Sequence, residues 1–126
     1  MHRRFKGAQA TRRLQALGRL KSGEMNKTET AYSQLLQSRQ HAGEILWYAF
    51  EGIKLRLADK TFLTVDFAVM DADGYLQMVD VKGAAHLFSD DAKVKMKVAA
   101  ERFPFAFKIV YPRPKRDGGG WEEQII

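Results

Sequence analysis

Two aspartates and a lysine interrupt a pair of otherwise apolar segments near the middle of the chain. The first segment carries Asp66, and the second carries Asp80 two residues before Lys82. The residues between the segments, 71–74, read Asp-Ala-Asp-Gly, which is typical of a turn. Since side chains alternate between the two faces of a strand, Asp80 and Lys82 should point the same way. The pattern therefore predicts a hairpin with charged groups at one end.

The register of this hairpin decides what the charges can do. If Met70 faces Leu76, then Asp66 faces Asp80, whereas a turn of another length would shift the pairing. Opposed carboxylates repel, and a divalent cation between them removes the conflict. Oxygen ligands on rigid strands suit magnesium (or manganese), so Asp66 and Asp80 are predicted metal ligands. The ordinary alternative is an exposed polar face with an incidental ion pair between Asp80 and Lys82.

Lys82 has a role in the same chemistry. An ammonium beside a metal-ligating carboxylate can hold the attacking water or stabilise the charge that develops on a phosphate. Gly83 follows directly and leaves room for a substrate backbone. The sequence therefore predicts that Lys82 takes part in phosphodiester hydrolysis.

Glu29 is the fourth candidate for this site. Asn26 is a good helix N-cap, and Glu29 stands three residues later, where it completes a capping box. Glu29 also shares a helical face with Tyr32 and Leu36, so its carboxylate could reach the metal directly or through water. The two roles are compatible.

The elements that must position these side chains follow from apolar periodicity. A first helix is predicted from Asn26 to Gly43, and a second from Ser89 or Asp90 to just before Pro104. Strands are predicted at residues 45–51, 53–57, 62–70, 75–82, 106–111 and 121–126. This order predicts an α/β (α+β) fold with a mixed central β-sheet flanked by helices.

The positive charge is concentrated at one end. The net charge is +6, and residues 1–23 contain seven basic residues and no acid, which leaves 14 basic and 15 acidic residues in the rest. We place the boundary near Gly23, with a basic N-terminal arm at 1–23 and one domain at 24–126. Such an arm binds DNA or another polyanion by releasing counterions, although a solubilising tail is the plainer interpretation. The predicted DNA-binding residues are Arg3, Arg4, Lys6, Arg12, Arg13, Arg19 and Lys21 of the arm, with Lys93 and Lys97 of the second helix.

Several classes of protein are disfavoured by composition. The chain has no cysteine, so disulfides and thiolate metal sites are excluded, and its three histidines lack zinc-ligand spacing. No apolar run approaches the roughly 20 residues that cross a bilayer. We therefore expect a cytoplasmic protein without a membrane partner.

The spacing of Glu29, Asp66 and Asp80-Val81-Lys82 resembles the PD-(D/E)XK nuclease superfamily. Longer stretches are similar to a small phage-encoded family catalogued as a domain of unknown function, over about residues 25–111. These stretches are residues 25–29, 43–48, 54–59, 66–67 and 81–83, with a continuation through 90–92, 97–100 and 103–105. Phage endonuclease I, which resolves branched DNA, is a similar small member of the superfamily.

The resemblance implies a restriction-endonuclease-like core and a magnesium-dependent endonuclease that cuts DNA. Its catalytic residues would be Glu29, Asp66, Asp80 and Lys82, and its metal ligands the three acids among them. Two positions depart from the motif: Val65 stands where proline is frequent, and Asp80 stands where relatives often have glutamate.

The resemblance also implies a biological setting. A branched or junction DNA substrate would call for a homodimer, because two strands must be cut, and a bacterial host infected by a phage or lysogenic for it. Two alternatives stay open: a non-catalytic nucleic-acid-binding protein that retains the nuclease fold, and a structural protein whose arm binds acidic partners.

Overall fold

The structure is a computed structural model that describes residues 23–84 and 90–126. It contains two α-helices, seven strands and one short 3₁₀ turn in the described residues. The helices are α1 (Lys27–His41) and α2 (Asp90–Arg102), and the 3₁₀ turn is Lys115–Asp117. The strands are β1 (Ile45–Phe50), β2 (Lys54–Ala58), β3 (Thr61–Thr64), β4 (Phe67–Asp71), β5 (Leu76–Val81), β6 (Ala106–Pro112) and β7 (Trp121–Ile125).

Five of the strands form a mixed sheet in the order β1-β4-β5-β6-β7. The pair β5 and β6 is parallel, and the other pairs in this sheet are antiparallel. Helix α2 lies between β5 and β6 in the chain, as a parallel connection requires. The predicted mixed sheet with helices, an α+β fold, is therefore confirmed.

The sheet is covered on both faces, and each face has its own apolar core. On one face Tyr32 and Leu36 of α1 pack against Phe67, Val79 and neighbouring valines. On the other face, the cluster joins Ala68, Met78, Phe107 and Ile109 of the sheet to Met96 and Ala99 of α2 and to Leu55 and Leu57 of β2. The strand alternation thus sends odd-numbered residues of β4 and β5 towards α1 and even-numbered ones towards α2.

The predicted strand at residues 62–70 is wrong in one respect, because Val65 and Asp66 are not part of a strand and divide the segment in two. The segment before the break, β3, pairs with β2 in a separate two-stranded sheet, and the segment after it, β4, joins the main sheet. Val65 is buried and its N–H donates to the carbonyl of Ile53, so the hairpin is held against the core at this point. The interruption leaves Asp66 outside the regular ladder, directly before the first residue of β4.

The helices begin and end largely as predicted. Asn26 and Glu29 form the capping box in full: Asn26 Oδ1 accepts from the Glu29 N–H at 2.8 Å, and Glu29 Oε1 accepts from the Asn26 N–H at 2.9 Å. In α2, Met96 and Ala99 are buried as the apolar stripe predicts, whereas Lys93, Lys95 and Lys97 are exposed. Within the described ranges, neither helix is long and apolar enough to span a membrane.

Candidate active site

The β4–β5 hairpin brings Asp66 and Asp80 together, as its turn predicts. Met70 pairs with Leu76 and Phe67 with Val79, so the next pair towards the open end would be Asp66 and Asp80. Gly74 has φ of +87°, a conformation that favours glycine and that sets the tight turn on which this register depends. The Asp71 carboxylate accepts the N–H groups of Asp73 and Tyr75, which holds the turn closed.

Asp66 is held in place by the backbone around it. Its Oδ2 accepts a hydrogen bond from the Val81 N–H at 2.8 Å, and its carbonyl oxygen accepts one from the Glu51 N–H at 2.8 Å. Glu51 itself has φ of +51°, an unusual value for a residue with a side chain. The carboxylate is therefore fixed at the junction of β4, β5 and the end of β1.

Asp80 and Lys82 form an ion pair next to Asp66. The Lys82 Nζ lies 3.1 Å from Asp80 Oδ2, and the two side chains are 26% and 17% exposed. The oxygen Asp80 Oδ2 is buried, and this contact lacks the geometry of a hydrogen bond, so the oxygen has no hydrogen-bond partner. A carboxylate oxygen has more than one lone pair, so Asp80 Oδ2 can accept a further cation beside the Lys82 ammonium.

The electrostatics of the pair show why the site resists being fully ionised. Burial raises the pKa of Asp66 well above its usual range, and a side-chain hydrogen bond with Asp80 and the negative charge of Asp80 raise it further. The hydrogen bond from the Val81 N–H opposes this rise, and the charge of Glu29 adds a smaller increase. Without a cation, the Asp66 carboxyl therefore keeps its proton to a higher pH than an exposed aspartate does.

Glu29 is near this pair but points to its own cap. The charge of Glu29 raises the pKa of Asp66, yet Glu29 Oε1 accepts a hydrogen bond from the Asn26 N–H. Helix α1, which carries Glu29, covers the face of the sheet opposite to Met78. Among residues 23–84 and 90–126, no group of three or more acids, histidines or cysteines is arranged to hold a metal. The structural role of Glu29 is confirmed, and its role as a ligand stays a prediction.

The predicted DNA-binding residues divide between two regions. The arm residues Arg3, Arg4, Lys6, Arg12, Arg13, Arg19 and Lys21 lie outside the described residues. Lys93 and Lys97 lie on the exposed side of α2. The described chain starts at Gly23, whose N–H donates to Glu51 Oε1 at 2.9 Å, and the Glu51 N–H donates to Asp66. The end of the arm is thus two hydrogen-bonded steps from the aspartate pair.

Sequence reasoning missed a second polar region, which lies between α1 and the sheet. A cavity of about 230 Å³ is lined by Tyr32, Arg39, Lys108 and Glu123, among others. Lys108 is 8% exposed and its Nζ lies 2.9 Å from Glu123 Oε2, while the buried Tyr32 hydroxyl has no hydrogen-bond partner. Burial, and then the charge of Glu123, raise the pKa of Tyr32 to about 12, so the phenol stays protonated. The sequence does contain a signal for this region, because Lys108 is a single charged residue within the apolar run of β6, between buried Phe107 and Ile109.

Comparisons of the chain with models of protein families, with curated proteins and with solved structures found no match. The resemblance to the PD-(D/E)XK superfamily therefore stays a prediction that depends on the motif residues.

Proposed function

We propose that this protein is a metal-dependent endonuclease that hydrolyses phosphodiester bonds in DNA. The observation that carries the proposal is the pair Asp66 and Asp80, two half-buried carboxylates on neighbouring chain segments with the Lys82 ammonium 3.1 Å from one of them. A purely structural polar cluster would not need two repelling acids here. A site that must bind a cation does.

The donor set fits a hard divalent cation in part. Asp66 and Asp80 would hold magnesium or manganese, with the buried Asp80 Oδ2 as one ligand and Glu29 as a further ligand, direct or through water. The ion supplies a Lewis acid and lowers the pKa of a bound water. The chain itself contributes the Val81 N–H, which orients Asp66, and Lys82, which positions water or stabilises charge on the phosphate.

The placement of positive charge supports a nucleic-acid partner. Seven basic residues precede residue 24 without an acid, and the described chain starts beside Glu51, which is hydrogen-bonded to Asp66. The basic residues of the arm would bind phosphates without reading bases. Branched or junction DNA, a homodimer and the cytoplasm of a phage-infected or lysogenic bacterium belong to this proposal through the resemblance alone.

A non-catalytic DNA-binding protein with the same fold is the second candidate. It is favoured by the lack, in the described residues, of a third acid arranged with Asp66 and Asp80, and by the capping bond that occupies Glu29. A protein of this kind would bind DNA equally well with or without magnesium.

One experiment separates the two candidates. The full chain is incubated with supercoiled plasmid and with synthetic four-way junctions, in magnesium, in manganese or in EDTA. We expect cutting only with a divalent ion, abolished by Asp80→Asn and Lys82→Ala, and retained by the control Asp73→Asn in the exposed turn of the same hairpin. Binding without cutting by the wild type would leave the non-catalytic candidate, and normal cutting by Asp80→Asn would show that the site lies elsewhere.

A further inference from the structure

The small β2–β3 hairpin exposes cations around an aromatic ring. Leu55 and Leu57 of β2 are buried in the core, so the alternate residues Lys54 and Arg56 face outwards. Arg56 pairs directly with Phe62 of β3, which places the 40% exposed phenyl ring on the same outward face. We call Lys54, Arg56, Lys60 and Phe62 the hairpin face.

The charges of the hairpin face are available to a partner. Lys54 Nζ lies 4.6 Å from the centroid of the Phe62 ring, and Lys60 is exposed in the turn. The acid on this face is Asp59, which lies 3.7 Å from Arg56, and both side chains are more than 60% exposed. An exposed pair of this kind contributes little, so Arg56 can exchange Asp59 for a phosphate.

The hairpin face continues into α2. Lys95 Nζ donates to the carbonyl of Phe62 at 3.3 Å, which joins the exposed lysine side of α2 to the hairpin. Lys95 therefore connects the hairpin to the helix that carries Lys93 and Lys97, whose first turn also exposes Asp90 and Asp91.

The hairpin face also lies close to the aspartate pair. Phe62 and Asp66 are four positions apart, so at about 3.3 Å per residue their Cα atoms lie within about 13 Å of each other. A strand of duplex DNA advances about 3.4 Å per nucleotide, and an unpaired strand can extend further, so this distance corresponds to no more than about four nucleotides.

We propose that the hairpin face binds an unpaired strand of DNA next to the aspartate pair, with phosphates on Lys54, Arg56 and Lys60 and a base against Phe62. Bases in a duplex are covered by their neighbours, so a protein ring reaches a base only where the strand is unpaired. An exposed aromatic ring among cations fits an unpaired strand, because a base can stack on the ring while the phosphates contact the cations. The ring would contribute little to the binding of duplex DNA. That the strand is bound next to a catalytic site rests on the proposed function, whereas binding of the strand by the hairpin face does not.

The test measures DNA binding in EDTA, so that cutting plays no part. Fluorescence anisotropy of the full chain is recorded with a labelled single strand, the matching duplex, and a fork that carries one unpaired arm. We expect Phe62→Leu to weaken binding of the single strand and the fork by roughly 5- to 150-fold, as loss of one stacked base predicts, and to change duplex binding less than about twofold. Phe62→Trp should retain the affinity.

The matched control is Tyr75→Leu, which removes an aromatic residue that is 71% exposed at the far turn of β4 and β5. It should leave all three affinities unchanged, and thermal unfolding of each variant shows that the fold is kept. An equal loss for Phe62→Leu and Tyr75→Leu, an equal loss on duplex and single strand, or no loss at all would overturn the inference. Strand binding through Phe62 without magnesium-dependent cutting would support it while refuting the endonuclease proposal.

Discussion

Replacing Asp66 by asparagine should stabilise the metal-free protein while removing its activity. Asparagine keeps an oxygen that accepts the Val81 N–H, now 2.8 Å from Asp66 Oδ2, but it carries no charge to oppose Asp80. The substitution therefore separates the shape of this side chain from its ionisation.

The magnitude follows from the shift in the pKa of Asp66. Folding raises this pKa from 3.8 to about 8, first through burial and then through Asp80. The native state thus holds a proton at pH values where the unfolded chain has released it, so the free energy of unfolding falls as the pH rises from about 4 to 8. Each pKa unit corresponds to about 1.4 kcal/mol, so the free energy of unfolding falls by at most about 6 kcal/mol between low pH and pH 8. We expect Asp66→Asn to recover a few kcal/mol of this loss, on the same scale.

The assay is urea unfolding of wild type and Asp66→Asn in EDTA, at pH 4 and at pH 8, with exposed Asp73→Asn as the control. We expect Asp66→Asn to raise the free energy of unfolding at pH 8 and to raise it little at pH 4, whereas the control should show no pH-dependent change. Magnesium should stabilise the wild type at pH 8 and leave Asp66→Asn unchanged. An equal gain at both pH values, or a loss at pH 8, would refute the reasoning.

Three further predictions concern the elements around the pair. Glu29→Gln keeps a capping group but removes the charge, so cutting should fall while the free energy of unfolding stays nearly unchanged. Asn26→Ala should instead lower the free energy of unfolding in urea by about 0.5–2 kcal/mol and spare cutting. The reverse pattern would assign Glu29 to the cap alone. Deleting residues 1–22 should weaken DNA binding and flatten the slope of log affinity against log salt, measured by anisotropy; an unchanged slope would exclude the arm from binding. Tyr32→Phe should leave the free energy of unfolding unchanged or raise it by about 1 kcal/mol, because it removes a buried hydroxyl without a hydrogen-bond partner. A clear fall in the free energy of unfolding would mean that the hydroxyl has a partner, such as water, in the cavity.

Most of the elements could be predicted because local chemistry specifies them. Asn26 and Glu29 fix the start of α1 through bonds within one turn, and the turn before Gly74 sets the pairing of Met70 with Leu76. Each of these outcomes depends on residues fewer than eight positions apart. The sequence pattern also placed Asp80 and Lys82 on one side, which their 3.1 Å contact bears out.

The break at Val65 and Asp66 could not be predicted in this way. Residues 62–70 are apolar enough to form one strand, and their periodicity does not say that β3 pairs with β2 whereas β4 pairs with β1 and β5. The partner strands decide it, because Ile53 holds Val65 to the hairpin and Glu51 binds the carbonyl of Asp66.

The order of residues is enough to identify the charged groups: two aspartates, a lysine two residues beyond one of them, and a basic arm without acids. Tertiary structure alone decided how these groups affect each other. Burial and the approach of Asp80 raise the pKa of Asp66, and the cap holds one oxygen of Glu29. The physical reason is that ionisation depends on solvent, charge and hydrogen bonds supplied by distant segments, whereas turns and caps depend on neighbours in the chain.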